Sequence, residues 1–257
     1  MSVVPQSHLI LLVHDPMFKF LTTLISAIKN LDKLQEYGVT FAKGVRDWWQ
    51  GQAIAVIGPT ASGKNSLFNR LQHKPPPQQH MQTRGTEELE TFKLNYTLPD
   101  GTRLDLKCKN CINTGGEIDE RERYWLTVCQ HADVIFYLID GEKLRKAPKQ
   151  TLDRIHDDFD WLLKNVHQFK ENFSIHLLLN KVDVVTAKLK TEAAVQAVEQ
   201  AFRAPLDELE KLARNVFGPN AARVSGLGPI SMTDDVLFHR YFAAALGDVH
   251  AHMKGKK

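Results

Sequence analysis

Gly58-Pro59-Thr60-Ala61-Ser62-Gly63-Lys64-Asn65-Ser66 decides the reading of this chain. It follows the apolar run Ala53–Ile57 and precedes Leu67-Phe68-Asn69-Arg70-Leu71, the start of a helical pattern. Glycines let a backbone wrap closely with its N–H groups turned inward, and the helix N-terminus behind them adds positive potential. A loop of this build, carrying a lysine at its end, suits a phosphate group. Gly58, Ser62, Gly63, Lys64, Asn65 and Ser66 are its candidate contacts.

Outward from this loop, β-rich runs alternate with helical patterns. Ala53–Ile57, Val134–Ile139 and Ile175–Leu179 are largely continuous apolar runs, as expected of central strands in a parallel sheet. Helices are expected near Ile118–Cys129, Thr151–Phe169, Thr191–Phe217 and Asp234–Met253, with Pro205 breaking or kinking the third. Leu98-Pro99-Asp100-Gly101 is a turn signal, joining hairpin arms near Glu88–Thr97 and Thr102–Lys107. The fold class is therefore α/β, a mostly parallel sheet flanked by helices on both faces.

The first fifty or so residues read differently. Phe18, Leu21, Leu24, Ile25, Ile28, Leu31 and Leu34 mark one apolar helical face, and a second helical piece covers Val39 to Trp49. Residues 1–50 are expected to form a helical extension, and 51–257 the domain that carries the phosphate loop. The extension either packs on that domain, or docks a protein partner, or lies on a membrane surface.

Asn180-Lys181-Val182-Asp183 closes the apolar strand Ile175–Leu179. Together with the phosphate loop it resembles the Asn-Lys-x-Asp box of the translation-factor and Ras-like P-loop GTPases. The resemblance covers about four-fifths of the chain, the part that reads as an α/β domain. It implies GTP and GDP as ligands. Asp183 would accept hydrogen bonds from the guanine N1–H and 2-amino groups, which adenine lacks. Lys181 would lie over the base and Asn180 would brace the phosphate loop. It also implies a switch threonine, for which Thr83 is the first candidate and Thr86 the second. The family's last box has its counterpart in Val224-Ser225-Gly226-Leu227, with Ser225 and Gly226 at the base. Its Asp-x-x-Gly box matches Asn113-Thr114-Gly115-Gly116 here, followed by Glu117 where many Ras-like members carry a water-orienting glutamine.

Two departures weaken the metal chemistry. Asn65 stands where the family has Ser or Thr, and Asn113 where it has Asp. With Thr83, these are the candidate Mg²⁺ contacts. Mg²⁺ sites normally rest on at least one carboxylate plus phosphates, so weak Mg²⁺ dependence and slow hydrolysis are expected. Lys64, Thr83, Gly116 and Glu117 are the candidate catalytic groups. The expected function is a guanine-nucleotide-binding regulator with slow GTP hydrolysis. The alternative is a hydrolysis-deficient pseudo-GTPase that works as a scaffold through its N-terminal helices.

Composition narrows the setting. A net charge of +3 gives no strong basic field, so no nucleic-acid partner is expected. The basic end Lys254–Lys257 reads as solvated. Cys108, Cys111 and Cys129 are an odd, small set, which fits a reducing compartment. A Cys₃His zinc site with His131 is conceivable, but the spacing is unusual. His73 and His80 read as loop residues. His14, Asp15, Pro16 and Lys19 interrupt the apolar stretch Leu9–Ile28, so a soluble cytoplasmic protein is expected.

Overall fold

The three continuous apolar runs are strands, and they lie side by side in one sheet. The computed structural model of the chain describes residues 47–49, 52–71, 87–88, 92–97, 103–108, 112–113, 118–185, 192–233 and 235–255. The apolar face from Phe18 to Leu34, the turn at 98–101, Thr83, Thr86, Cys111, His73, His80 and the segment 114–117 lie outside the described residues.

In chain order the strands are β1 (Ile54–Ile57), β2 (Glu87–Glu88), β3 (Phe92–Thr97), β4 (Arg103–Cys108), β5 (Ile112–Asn113), β6 (Val134–Asp140), β7 (Ser174–Asn180) and β8 (Val224–Pro229). The main sheet has the order β2-β5-β1-β6-β7-β8. Its members β5, β1, β6, β7 and β8 run parallel, and β2 is antiparallel at the edge. The expected hairpin is present: Phe92 pairs with Cys108 and Thr97 with Arg103. Glu87 pairs with Asn113 on the same register line, so β2 with β5 and β3 with β4 share one antiparallel alignment.

The helices are α1 (Lys64–Leu71), α2 (118–129), α3 (Gly141–Lys146), α4 (Pro148–Asn165), α5 (Glu192–Phe217) and α6 (Asp235–Lys254). The middle of α2, Arg121–Trp125, widens into a π-helical turn, and the residues at its two ends are both buried. Helix α4 starts earlier than the apolar pattern indicated, because Pro148 takes the first turn, where its missing N–H costs nothing. Helix α5 runs through Pro205, so of the expected break or kink the break is absent. Phe202, Leu206 and Leu209 around the proline are all buried, and that packing outweighs the one backbone bond it removes.

Successive strand residues face opposite sides, and the two cores divide accordingly. Ile135, Tyr137 and Ile139 of β6 join Trp125, Phe159, Leu162 and Phe202 on one side. Val134, Phe136 and Leu138 join Leu67, Phe68, Phe238, Phe242 and Leu246 on the other. Trp49 belongs to this second core. It is fully buried, stacks on Phe136 at 6.4 Å between centroids, and donates its indole N–H to the Leu246 carbonyl at 3.3 Å.

One buried ionic cluster ties α2 to α4. Asp158 accepts from Arg121 at 2.8 Å, from Arg154 at 3.1 Å and from the Tyr137 hydroxyl at 2.8 Å. Burial, reinforced by the Asp158 carboxylate, holds the Tyr137 phenol well above its ordinary range.

Candidate functional site

The C-terminal ends of β1, β6, β7 and β8 open on one edge of the sheet, the place where parallel α/β sheets present their ligands. The loop after β1 is held in a shape that demands its glycines. Gly58 has φ +140° and Gly63 φ +104°. A Cβ on Gly58 would lie 2.4 Å from the Leu138 carbonyl oxygen, and one on Gly63 would lie 2.1 Å from the Asn180 amide nitrogen. Ala61 also adopts a left-handed conformation, φ +66°, a strain that functional loops commonly store.

Lys64 opens α1 and is buried. Its ammonium donates to the carbonyls of Gly58 at 2.8 Å and Pro59 at 3.0 Å, so the cation folds back over the loop. Ser62 is fully buried, and its hydroxyl has no hydrogen-bond partner among the described residues. Asn65 and Ser66 are half-buried in the first turn of α1.

The strand end after β7 meets this loop directly. Asn180 donates its side-chain amide to the Ser62 carbonyl at 2.8 Å, the brace expected from sequence. The Asn180 amide oxygen is buried with no partner among the described residues. Lys181 is left-handed, φ +60°, and its ammonium pairs with Asp140 at 2.6 Å. Asp183 accepts from Ser231 at 3.2 Å and from Thr233 at 2.9 Å.

The structure sets Ser225 and Gly226 apart from Asp183. Ser225 and Gly226 lie inside β8. Ser225 is buried and donates to the Ile175 carbonyl at 3.1 Å, near the start of β7. Gly226 takes φ +155° beside the His176 ring. The strand runs on to Pro229, and the loop that reaches Asp183 carries Ser231 and Thr233.

Sequence reasoning also missed Asp140 and Gly141. Asp140 ends β6 beside Asn180 and caps α3, accepting from the Lys143 N–H at 3.0 Å. Lys143 in turn donates to the Thr60 carbonyl at 3.2 Å, joining α3 to the phosphate loop. A Cβ on Gly141 would lie 2.5 Å from the Asn180 carbonyl oxygen. An aspartate at the end of an apolar strand, directly before Gly-Glu-Lys, was a readable helix-capping signal.

The remaining candidates are only partly placed. Asn113 pairs with Val56 of β1 and Glu87 of β2. Thr83, Gly116 and Glu117 lie outside the described residues. Cys129 is buried in the core, where burial raises its thiol pKa, whereas His131 is exposed and meets the Gln130 amide at 3.0 Å. Among the described residues no group of three or more His, Cys, Asp and Glu is placed to hold a metal ion. No helix among them is long and apolar enough to cross a membrane.

Residues 53–218 match the family model described as the Gtr1/RagA G protein conserved region. The chain belongs to the Gtr1/RagA G protein family. The matched span starts just before the phosphate loop and extends past Asn180–Asp183 through α5, so both halves of the site fall within it. Three solved structures are similar to this G protein. One is the Arl6/BBS3 small GTPase of Trypanosoma brucei with a bound GppNp analogue, at 16% identity, TM-score 0.49, and coverage of 76% of this chain and 94% of that one. Another is the mammalian SRP receptor, at 15% identity, TM-score 0.48, and coverage of 76% and 100%. A third is a GTP-binding protein of the archaeon Sulfolobus solfataricus in complex with GDP, at 16% identity, TM-score 0.44, and coverage of 90% and 65%. No curated protein sequence matches the chain.

Proposed function

We propose that this G protein binds GTP and GDP as a regulator and hydrolyses GTP slowly. The observation that carries the reading is the brace from Asn180 to the Ser62 carbonyl, which fixes the base-reading strand end to the phosphate loop. The residues fit a nucleotide. Gly58 and Gly63 let the loop close against Leu138 and Asn180, where a Cβ would clash, and the Ser62 hydroxyl and the Asn180 oxygen are buried polar atoms with unused capacity. Gly58, Ser62, Gly63, Lys64 and Ser66 would hold the phosphates.

Lys181 and Asp183 would hold the base. Ser231 and Thr233 take the supporting place first given to Ser225 and Gly226, because their hydroxyls already orient the Asp183 carboxylate. An ionised carboxylate accepts only. Guanine presents N–H donors to the lone pairs that Ser231 and Thr233 leave open, whereas adenine presents none and leaves those lone pairs desolvated.

Magnesium fits less well. Asn65, which follows Lys64, and Asn113 at the end of β5 are neutral amides, so the metal would depend mainly on phosphate oxygens. Thr83, Gly116 and Glu117 keep switch and catalytic roles only as part of this proposal. Bound GTP supplies the γ-phosphate whose loss would separate two signalling states. The reading places the chain in the cytoplasm, with a protein effector or complex partner and no nucleic-acid partner.

The test is titration of the full chain with fluorescent GDP and GTP, with ATP as competitor, with and without Mg²⁺, followed by single-turnover hydrolysis. Guanine nucleotides should win. Lys64→Ala should weaken them by about a hundredfold, because it removes a charge-assisted hydrogen bond to the phosphates. ATP outcompeting GTP refutes the guanine reading, and fast Mg²⁺-dependent turnover refutes slow hydrolysis.

Asn65 at the magnesium position favours a second reading, a pseudo-GTPase that holds nucleotide structurally and acts through its N-terminal segment. Its mark would be a nucleotide-dependent rise in melting temperature with no measurable turnover.

A further inference from the structure

We infer that Asp140 is a positioning residue of the base pocket, holding Lys181 in place for a guanine nucleotide. The inference rests on the guanine-nucleotide reading above and adds a residue to it. Asp140 is the last residue of β6 and pairs in register with Asn180, so it enters the crevice one strand away from the base-reading segment. It is nearly buried, with 3% of its surface exposed, whereas the Lys181 side chain is one-third exposed. A buried carboxylate is retained only where its oxygens are engaged, and here they have separate tasks. Oδ1 accepts the Lys143 N–H and caps α3. Oδ2 accepts the Lys181 ammonium at 2.6 Å.

Lysine is a flexible point charge on a four-carbon stem, and on its own it would sample many rotamers. Lys181 has two restraints: a left-handed backbone, φ +60°, and the fixed Asp140 anchor. Asp140 is itself immobilised, because Gly141 packs against the Asn180 carbonyl too closely to admit a side chain. The lysine stem is thereby laid across the crevice before any ligand arrives, and binding loses less side-chain entropy.

The test exploits the two oxygens. Asp140→Asn keeps an acceptor for the Lys143 N–H and removes the charge that holds Lys181. GDP and inorganic tripolyphosphate are titrated into the full-length wild type, Asp140→Asn, Lys181→Met and the double variant. GDP should bind about tenfold more weakly to Asp140→Asn, and the same change should cost less than about twofold in the Lys181→Met background. Tripolyphosphate, which touches only the phosphate loop, should change less than about twofold throughout. An unchanged GDP affinity in Asp140→Asn overturns the inference alone. So does an equal loss of GDP and tripolyphosphate, which would mean that Asp140 merely supports the loop through α3 and Lys143. A wild type that binds neither ligand overturns the guanine-nucleotide reading and this inference with it.

Discussion

Acid should destabilise this protein through one histidine, and the size of the effect can be worked out. His176 sits on β7, fully buried, edge-on to Phe136 at 6.1 Å. Gly226 and Gly228 of β8 leave room for its ring, since a Cβ on either would already touch it at 3.4 Å. The Ser225 hydroxyl has one proton and gives it to the Ile175 carbonyl, so at the 3.1 Å contact with His176 it must accept from Nδ1–H. That leaves Nε2 as a bare lone pair, buried with no partner among the described residues. Burial, with a smaller repulsion from His252, lowers the pKa from 6.5 to about 3. A depressed histidine pKa means that the unfolded chain binds the extra proton, so stability is full above the unfolded value and is lost as pH falls below it. Between about pH 7.5 and about pH 5 the loss is about 2 kcal/mol, fixed almost wholly by the unfolded pKa. Urea unfolding of wild type and His176→Leu across this range isolates the effect, because every other group titrates in both. The variant leaves Ser225 satisfied by Ile175. Wild-type stability should fall by about 2 kcal/mol more than that of the variant. Profiles parallel to within about 0.5 kcal/mol would refute the reasoning.

Gly63→Ala should abolish measurable GDP binding and destabilise the fold by about 1–3 kcal/mol, since it pairs a strained backbone with a clash on the Asn180 brace; nucleotide titration and thermal melting check both. Asp158→Ala should cost about 3 kcal/mol in urea unfolding, because it takes the acceptor from the buried Tyr137 hydroxyl and from one arm of the Arg121 guanidinium, whose other arm stays with Glu122. Arg154→Ala, at the more exposed partner of the same carboxylate, should cost less than about 1 kcal/mol in the same assay. Trp49→Ala should cost about 3–5 kcal/mol, since it empties a fully buried site against Phe136; a loss near zero would show that the segment around Trp49 is not part of the folding core.

The sheet was legible where its strands were apolar throughout. β1, β6 and β7 are buried on both faces, and burial on both faces writes itself as unbroken hydrophobic sequence. β8 was not legible, because Val-Ser-Gly-Leu-Gly-Pro reads as a loop by composition. Its strand rests on a long-range fact: it pairs with β7, some fifty residues upstream, and sets Gly226 and Gly228 against the His176 ring. A period or propensity computed over neighbours cannot contain a partner fifty residues upstream. The unbroken α5 has the same origin, with Pro205 overruled by packing around Phe202 and Leu206 that local propensity does not see.

The candidate site shows how such a miss moves a proposed ligand-pocket residue. The resemblance put Ser225 and Gly226 at the base. In the sheet, Val224 lies level with Ile175 at the far end of β7, whereas the ligand edge is at Asn180. Five residues of strand rise separate these levels, about 16 Å at 3.3 Å each. No side chain as short as serine spans that gap. The register offered a correction available to any reader who accepts β8 as a strand. Pro229 lies level with Leu179, and the Ile230 N–H continues the ladder to the Leu179 carbonyl at 2.8 Å. The first hydroxyl beyond that level is Ser231, and it is the one that reaches Asp183. A loop can serve a site at the strand ends only if it begins where its own strand ends. In the proposed pocket Ser231, at the height of Asp183, therefore takes the place first given to Ser225.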